Sequence, residues 1–129
     1  MRSPTALPTL GPLESRLMDQ LWLSSPATVR EVCDDLGTDL AYTTVMTTLD
    51  RLYKKGLLAR VKVLAAFVYH PTMTRSEYQQ RIVEDTMAPF LAEAPGPALA
   101  AFVNTAAALD VANLARLEQL IADRRKRGS

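Results

Sequence analysis

Apolar residues recur along this chain at two periods, and the change from one to the other organises it. Leu13, Leu17, Met18, Leu21 and Trp22 fall at i, i+4, i+5, i+8 and i+9, one face of a helix. Pro12 suits its first position, where an amide N–H would lack a helical partner, and Ser24-Ser25-Pro26 ends it near Leu23. Thr28 and Glu31 make a capping box, each side chain serving the other's free backbone donor. The helix they open turns Val29, Val32, Cys33 and Leu36 inward, and Gly37 can supply its left-handed C-cap. A third helix is predicted from about Tyr42 to Lys55, stopped by Gly56, with Val45, Leu49 and Leu52 inward and Ala41 and Tyr42 flanking them. From Leu57 to Val63 the period falls to two; Phe67-Val68-Tyr69-His70 follows, and Pro71 ends it. Three helices and a terminal hairpin predict a mainly α fold, a winged helix-turn-helix over residues 1–72.

Residues 73–129 return to the helical period. Thr74 and Glu77 make another capping box, with Tyr78 and Ile82 on the apolar side of the helix they open. Pro89 predicts a kink or break, because it has no amide for Asp85 and disfavours helix at Ala88. Ala94-Pro95-Gly96-Pro97 reads as a loop, Leu99, Phe102 and Val103 as a short helix, and Asp110 as the cap of a last helix with Leu114, Leu117, Leu120 and Ile121 inward. No second layer in the sequence covers these stripes. A symmetric dimer built on Tyr78, Ile82, Leu99, Phe102, Leu114, Leu117 and Ile121 would cover them; folding back on the winged domain is the alternative. Arg124-Arg125-Lys126-Arg127 is expected to be a frayed, solvated tail that complements the preceding helix dipole, with a nonspecific DNA contact as the other reading.

Composition narrows the chemistry. At 129 residues, 48% hydrophobic and 22% charged, the chain can bury a core without staples. No apolar run reaches the ~20 residues of a membrane span, so no membrane insertion is expected. Met1–Pro8 has no apolar h-region and is expected not to be a signal peptide. One cysteine, Cys33, and one histidine, His70, leave little for a disulfide framework, a metal centre or a Ser-His-Asp site. The expectation is a cytoplasmic protein that is not an enzyme, with no cofactor and no metal. Cys33 reads as a core residue, and Tyr69 and His70 as hairpin packing or phosphate contacts.

Net charge is only +1, but it is unevenly placed. Residues 40–72 carry Arg51, Lys54, Lys55, Arg60 and Lys62 against Asp50 alone, inside an otherwise acidic chain. Such a block suits a polyanion, although charge alone fits a solvated surface equally well. The third helix decides between them. At 100° per residue, Thr43, Thr47, Asp50, Arg51 and Lys54 lie opposite the inner stripe, with Thr44 at the edge. Threonine is a poor helix former, so four in six positions ask for a reason. Short hydroxyls let a backbone lie deep in the major groove, and threonine offers thymine a methyl contact. The candidate DNA-contact set is therefore Tyr42, Thr43, Thr44, Thr47, Thr48, Arg51 and Lys54 on the helix, with Arg60 and Lys62 on the first strand.

The run from Leu40 to Leu57, LAYTTVMTTLDRLYKKGL, closely resembles the penicillinase-repressor family, the BlaI/MecI/CopY group of bacterial repressors. Leu10-Gly11-Pro12-Leu13-Glu14 with Met18 and Leu21-Trp22, and Ala27-Thr28-Val29-Arg30-Glu31-Val32, are similar to its first two helices. The resemblance is specific over 10–58 and follows the order of elements to about 121. It implies a homodimer on a pseudo-palindromic double-stranded operator that blocks transcription. In the β-lactam branch, tied to antibiotic resistance, a membrane sensor with a metallopeptidase domain triggers cleavage of the repressor in its dimerisation region. The chain departs from the family in three places. The wing tip reads Leu64-Ala65-Ala66 where the family commonly has Gly-Arg, so contacts of the tip with DNA are not expected, and Leu64 and Ala65 are expected to pack instead. The C-terminal cysteine cluster of the copper-responsive branch is absent. The family's Asn-Phe cut site aligns with Ala101-Phe102, which keeps only the phenylalanine.

Two rival functions are carried forward. A winged-helix module that binds protein without sequence-specific DNA binding would lack the basic, hydroxyl-rich outer face. A ligand-sensing regulator would need convergent polar groups in a pocket, and residues 98–121 offer few.

Overall fold

The computed structural model describes residues 10–37 and 40–128; the Met1–Pro8 reading lies outside the described residues. Helix α1 (Pro12–Leu23) is followed by a two-residue strand β1 (Ala27–Thr28), α2 (Val29–Leu36) and α3 (Tyr42–Lys54). Strands β2 (Leu58–Val63) and β3 (Ala66–Pro71) form the hairpin, and α4 (Arg75–Glu93), α5 (Pro95–Leu109) and α6 (Ala112–Gly128) complete the chain. The predicted winged helix-turn-helix is present.

The helix boundaries follow the local chemistry. Glu31 N–H donates to Thr28 Oγ1 at 3.1 Å and Thr28 N–H to Glu31 Oε1 at 2.9 Å, the reciprocal cap of α2. Gly37 closes that helix at φ +54°, and its N–H donates to the carbonyls of Cys33 and Asp34. After α3, Gly56 at φ +84° turns the chain into β2, and Thr72 Oγ1 donates to the Gly56 carbonyl at 2.8 Å.

The sheet order is β1-β3-β2, all antiparallel. Strand β1 went unread in the sequence because two residues cannot show a period; Ala27 opposes Tyr69 and Thr28 opposes Val68. The core gathers Leu17, Met18 and Leu21 from α1, Val29 and Val32 from α2, and Val45, Leu49 and Leu52 from α3, with Leu57, Leu58 and Tyr69 from the hairpin end. Cys33 is half-buried against it.

The chain divides into two compact units between Ile82 and Val83, ten residues beyond the boundary drawn from sequence. The first turns of α4 belong to the first unit because α1 holds them. Trp22 Nε1 donates to the Met73 carbonyl at 2.9 Å, the Trp22 and Tyr78 rings lie 5.5 Å apart, and Arg75 pairs with Asp19 at 2.8 Å. Tyr78, expected at a dimer surface, is instead packed against the core of its own chain.

In the second unit α4 runs through Pro89 without a break. Ala94-Pro95-Gly96-Pro97 is not a loop: Pro95 is the first residue of α5, and only Ala94 separates the two helices. The first amides of a helix have no internal acceptor, so Pro95 and Pro97 cost the first turn no hydrogen bond. Asp110 caps α6 as expected, accepting from Ala112 N–H at 3.0 Å, and the 124–127 cations lie within the helix and not in a frayed tail.

The hairpin turns through Leu64 and Ala65. Leu64 has φ +57° and is 96% exposed, so it does not pack as expected. A leucine there carries left-handed strain of about 1–2 kcal/mol with no burial to offset it. We expect Leu64→Gly to raise stability by about 0.5–1 kcal/mol, the relief being partly offset by glycine's greater freedom when unfolded. Urea melts of the two proteins check this.

Candidate nucleic-acid interface

Helix α3 has two faces. Val45, Leu49 and Leu52 are fully buried, while Thr43, Thr44, Thr47, Arg51 and Lys54 are exposed. Tyr42 is 47% exposed at the N-terminal end, with the guanidinium of Arg30 from α2 5.8 Å above its ring. Thr48 departs from the expected set: it is buried, and its Oγ1 donates to the Thr44 carbonyl at 2.8 Å. At 100° per residue Thr48 lies only 40° from Leu52, so the same rotation that chose the outer face already placed it inside.

The cations also separate. Arg51 and Lys62 are exposed and enter no ion pair among the described residues. Lys54 is exposed but pairs with Asp50 at 3.0 Å, one turn back on the same helix. Arg60 is half-buried, and its Nη1 donates to Asp50 Oδ1 at 3.1 Å. The hydrogen bond from Lys54, and then that from Arg60, hold the Asp50 carboxyl below its ordinary value of 3.8, so it is ionised at neutral pH.

Three residues of this surface were not in the DNA-contact set drawn from the sequence. Asp50 is the hub of the ion pairs, Met46 adds an exposed apolar group between the threonines and Tyr42, and Arg30 comes from another helix. Exposed, basic Arg30 carried no periodic signal; its place over Tyr42 is a contact between two helices. His70 is exposed on β3 and Tyr69 is buried beneath it.

A part-buried ion pair sits at the far end of α3. Lys55 Nζ meets Glu14 Oε2 at 2.7 Å, and Gly11 N–H donates to Glu14 Oε1 at 3.0 Å, so one carboxylate caps α1 and anchors the end of α3. The Gly11 amide, then Lys55, hold its pKa below the ordinary 4.5.

Among the described residues there is no group of His, Cys, Asp or Glu able to hold a metal, and no helix is long and apolar enough to cross a membrane. What the arrangement can do is recognise a duplex. Hydroxyls and cations stand out from a helix whose back is a core stripe, with an antiparallel wing beside it. The class so defined is the winged-helix DNA-binding regulator.

Comparison with known proteins gives the family. The penicillinase repressor model matches residues 10–123, and the chain belongs to that family of transcriptional repressors. Transcriptional regulator BlaI of Mycobacterium tuberculosis, from strains CDC 1551 / Oshkosh and ATCC 25618 / H37Rv, is 43% identical over 101 residues, 76% of this chain and 72% of that protein. The solution structure of the DNA-binding domain of the repressor BlaI superposes with a TM-score of 0.50 at 32% identity, over 56% of this chain and 90% of that one.

Glu14 yields a pH test. Its folded pKa is lowered, so its contribution is complete above about pH 4.5 and is lost as pH falls through the folded value. We expect Glu14→Gln to lose on the order of 2 kcal/mol near neutral pH, since it leaves Lys55 unpaired. The deficit should shrink as acid protonates the wild-type carboxylate. Urea melts at several pH values read it; a deficit unchanged in acid would show that the charge contributes nothing.

Proposed function

We propose that the protein is a cytoplasmic, homodimeric repressor that seats α3 of each protomer in the major groove of a pseudo-palindromic operator. The observation that carries this reading is the outward face of Thr43, Thr47 and Arg51 over the buried stripe Val45, Leu49 and Leu52. The threonines meet base edges, Arg51 and Lys62 meet phosphates, and Tyr42 and Thr44 border the groove. Likeness to a solved BlaI DNA-binding domain supports the same role for this unit.

The second unit supports the dimer. From Val83 on, no residue of α4, α5 or α6 is buried; Leu99, Phe102 and Ile121 are 54%, 41% and 52% exposed, and Leu114 and Leu117 are half-buried, as is Ile82 at the end of the first unit. A unit with this much apolar surface in water needs a cover, and a second copy provides one with the same stripes. Pairing two units sharpens operator affinity by raising the local concentration of the second.

Induction, on this reading, removes the dimer by cleavage in residues 73–129, under a membrane sensor metallopeptidase or a protease downstream of it, as in penicillinase-type regulation. The Ala101-Phe102 bond lies inside α5, where the Ala101 carbonyl accepts from Thr105 Oγ1 at 2.8 Å. A protease that takes extended substrate must therefore unwind α5 before cutting there.

The test is binding to a duplex enriched by the wild-type protein from a randomised pool, measured at several salt concentrations. Arg51→Ala should weaken all sequences about tenfold and reduce the salt slope by about 0.9, one phosphate contact. Thr47→Ala should narrow the gap between enriched and scrambled duplex with little change in slope. Unchanged binding in both variants would refute these roles, and the protein-binding module would then be preferred.

The dimer has its own test. Phe102→Glu alters an exposed side chain, so the protomer should keep its fold. We expect it to sediment as a monomer and to bind the duplex on the order of 100-fold more weakly.

A further inference from the structure

Arg60 has the most crowded side chain on the DNA-facing side. Its guanidinium lies 4.0 Å from the ring centroid of Tyr53 and 4.2 Å from that of Phe67. Its Nη1 donates to Asp50 Oδ1 at 3.1 Å and to the Tyr69 hydroxyl at 3.5 Å. Asp50 and Tyr53 belong to α3; Phe67 and Tyr69 belong to β3, the Phe67 and Tyr69 rings meeting edge to face at 6.5 Å. One side chain of β2 therefore touches the recognition helix and the partner strand of the wing. Only a planar cation can stack on rings and donate in its own plane, which lysine cannot do. Lys62, two residues along and on the same face of β2, stays exposed.

We infer that Arg60 is a positioning residue that fixes the wing against α3 through Asp50, so that Lys62 and the α3 threonines meet the duplex at one set angle, and that it makes no phosphate contact of its own. Asp50 acts as the helix end of this clamp. A carboxylate on a DNA-facing helix repels phosphate, so its presence needs a compensating role; holding Arg60 provides one. The inference rests on the proposed seating of α3 and the wing on DNA.

Four variants test it on the wild-type-enriched duplex, with circular dichroism as the fold control. Arg60→Ala should weaken binding about tenfold and leave the salt slope unchanged, whereas Lys62→Ala should lower the slope by about 0.9. Arg60→Lys keeps the charge and should not rescue. Asp50→Asn gives a test of sign. If only net charge mattered, removing a negative charge would tighten binding; the clamp requires that it weaken, by about threefold or more. A slope loss of about 0.9 in Arg60→Ala, restored in Arg60→Lys, would make Arg60 a phosphate contact and overturn the inference. Tighter binding by Asp50→Asn would also overturn it, and that variant decides the matter if Arg60→Ala does not fold. Wild-type protein that enriched no duplex would instead overturn the operator reading beneath it.

Discussion

Helix α3 must satisfy opposite demands on its two sides, and the first unit is arranged around that constraint. Val45, Leu49 and Leu52 hold it by burial against α1, α2 and the start of the hairpin. That fixes its rotation, and rotation decides which side chains stand in water. A turn of one residue about its axis, 100°, would carry Thr47 toward the core and bring Leu49 toward solvent. Apolar packing thus specifies polar display. Lys55 and Glu14 add an electrostatic stop at the C-terminal end, tying the helix to the cap of α1 across 41 positions of sequence.

The same principle explains why cations that look alike in sequence do different work. Among the described residues Arg51 and Lys62 enter no ion pair, Lys54 shares Asp50, and Arg60 is enclosed by two rings and two oxygens. A cation already committed to a carboxylate has less to offer a phosphate. On the proposed reading its value lies in holding the wing, and Arg51 and Lys62 are left for the polyanion.

The second unit presents the complementary situation, helices with apolar stripes and no buried residue. Isolated helices of this length are marginal in water, so these apolar stripes must gain their stability from packing. The penicillinase repressor model matches residues 10–123 and so reaches into both units.

Period, capping and turn chemistry act between near neighbours, so the sequence alone was enough to reveal the three-helix order, the reciprocal cap at Thr28 and Glu31, the hairpin and the outward threonines Thr43 and Thr47. It could mislead where a local signal admits two outcomes. Pro95, Gly96 and Pro97 suggest a loop, yet the first turn of a helix accepts them equally well. Tertiary structure decided what depends on groups far apart in the chain. It bound Arg60 to Asp50, placed Tyr78 on Trp22 and brought Arg30 over Tyr42, because contact across elements is settled by packing angles that no short-range pattern contains.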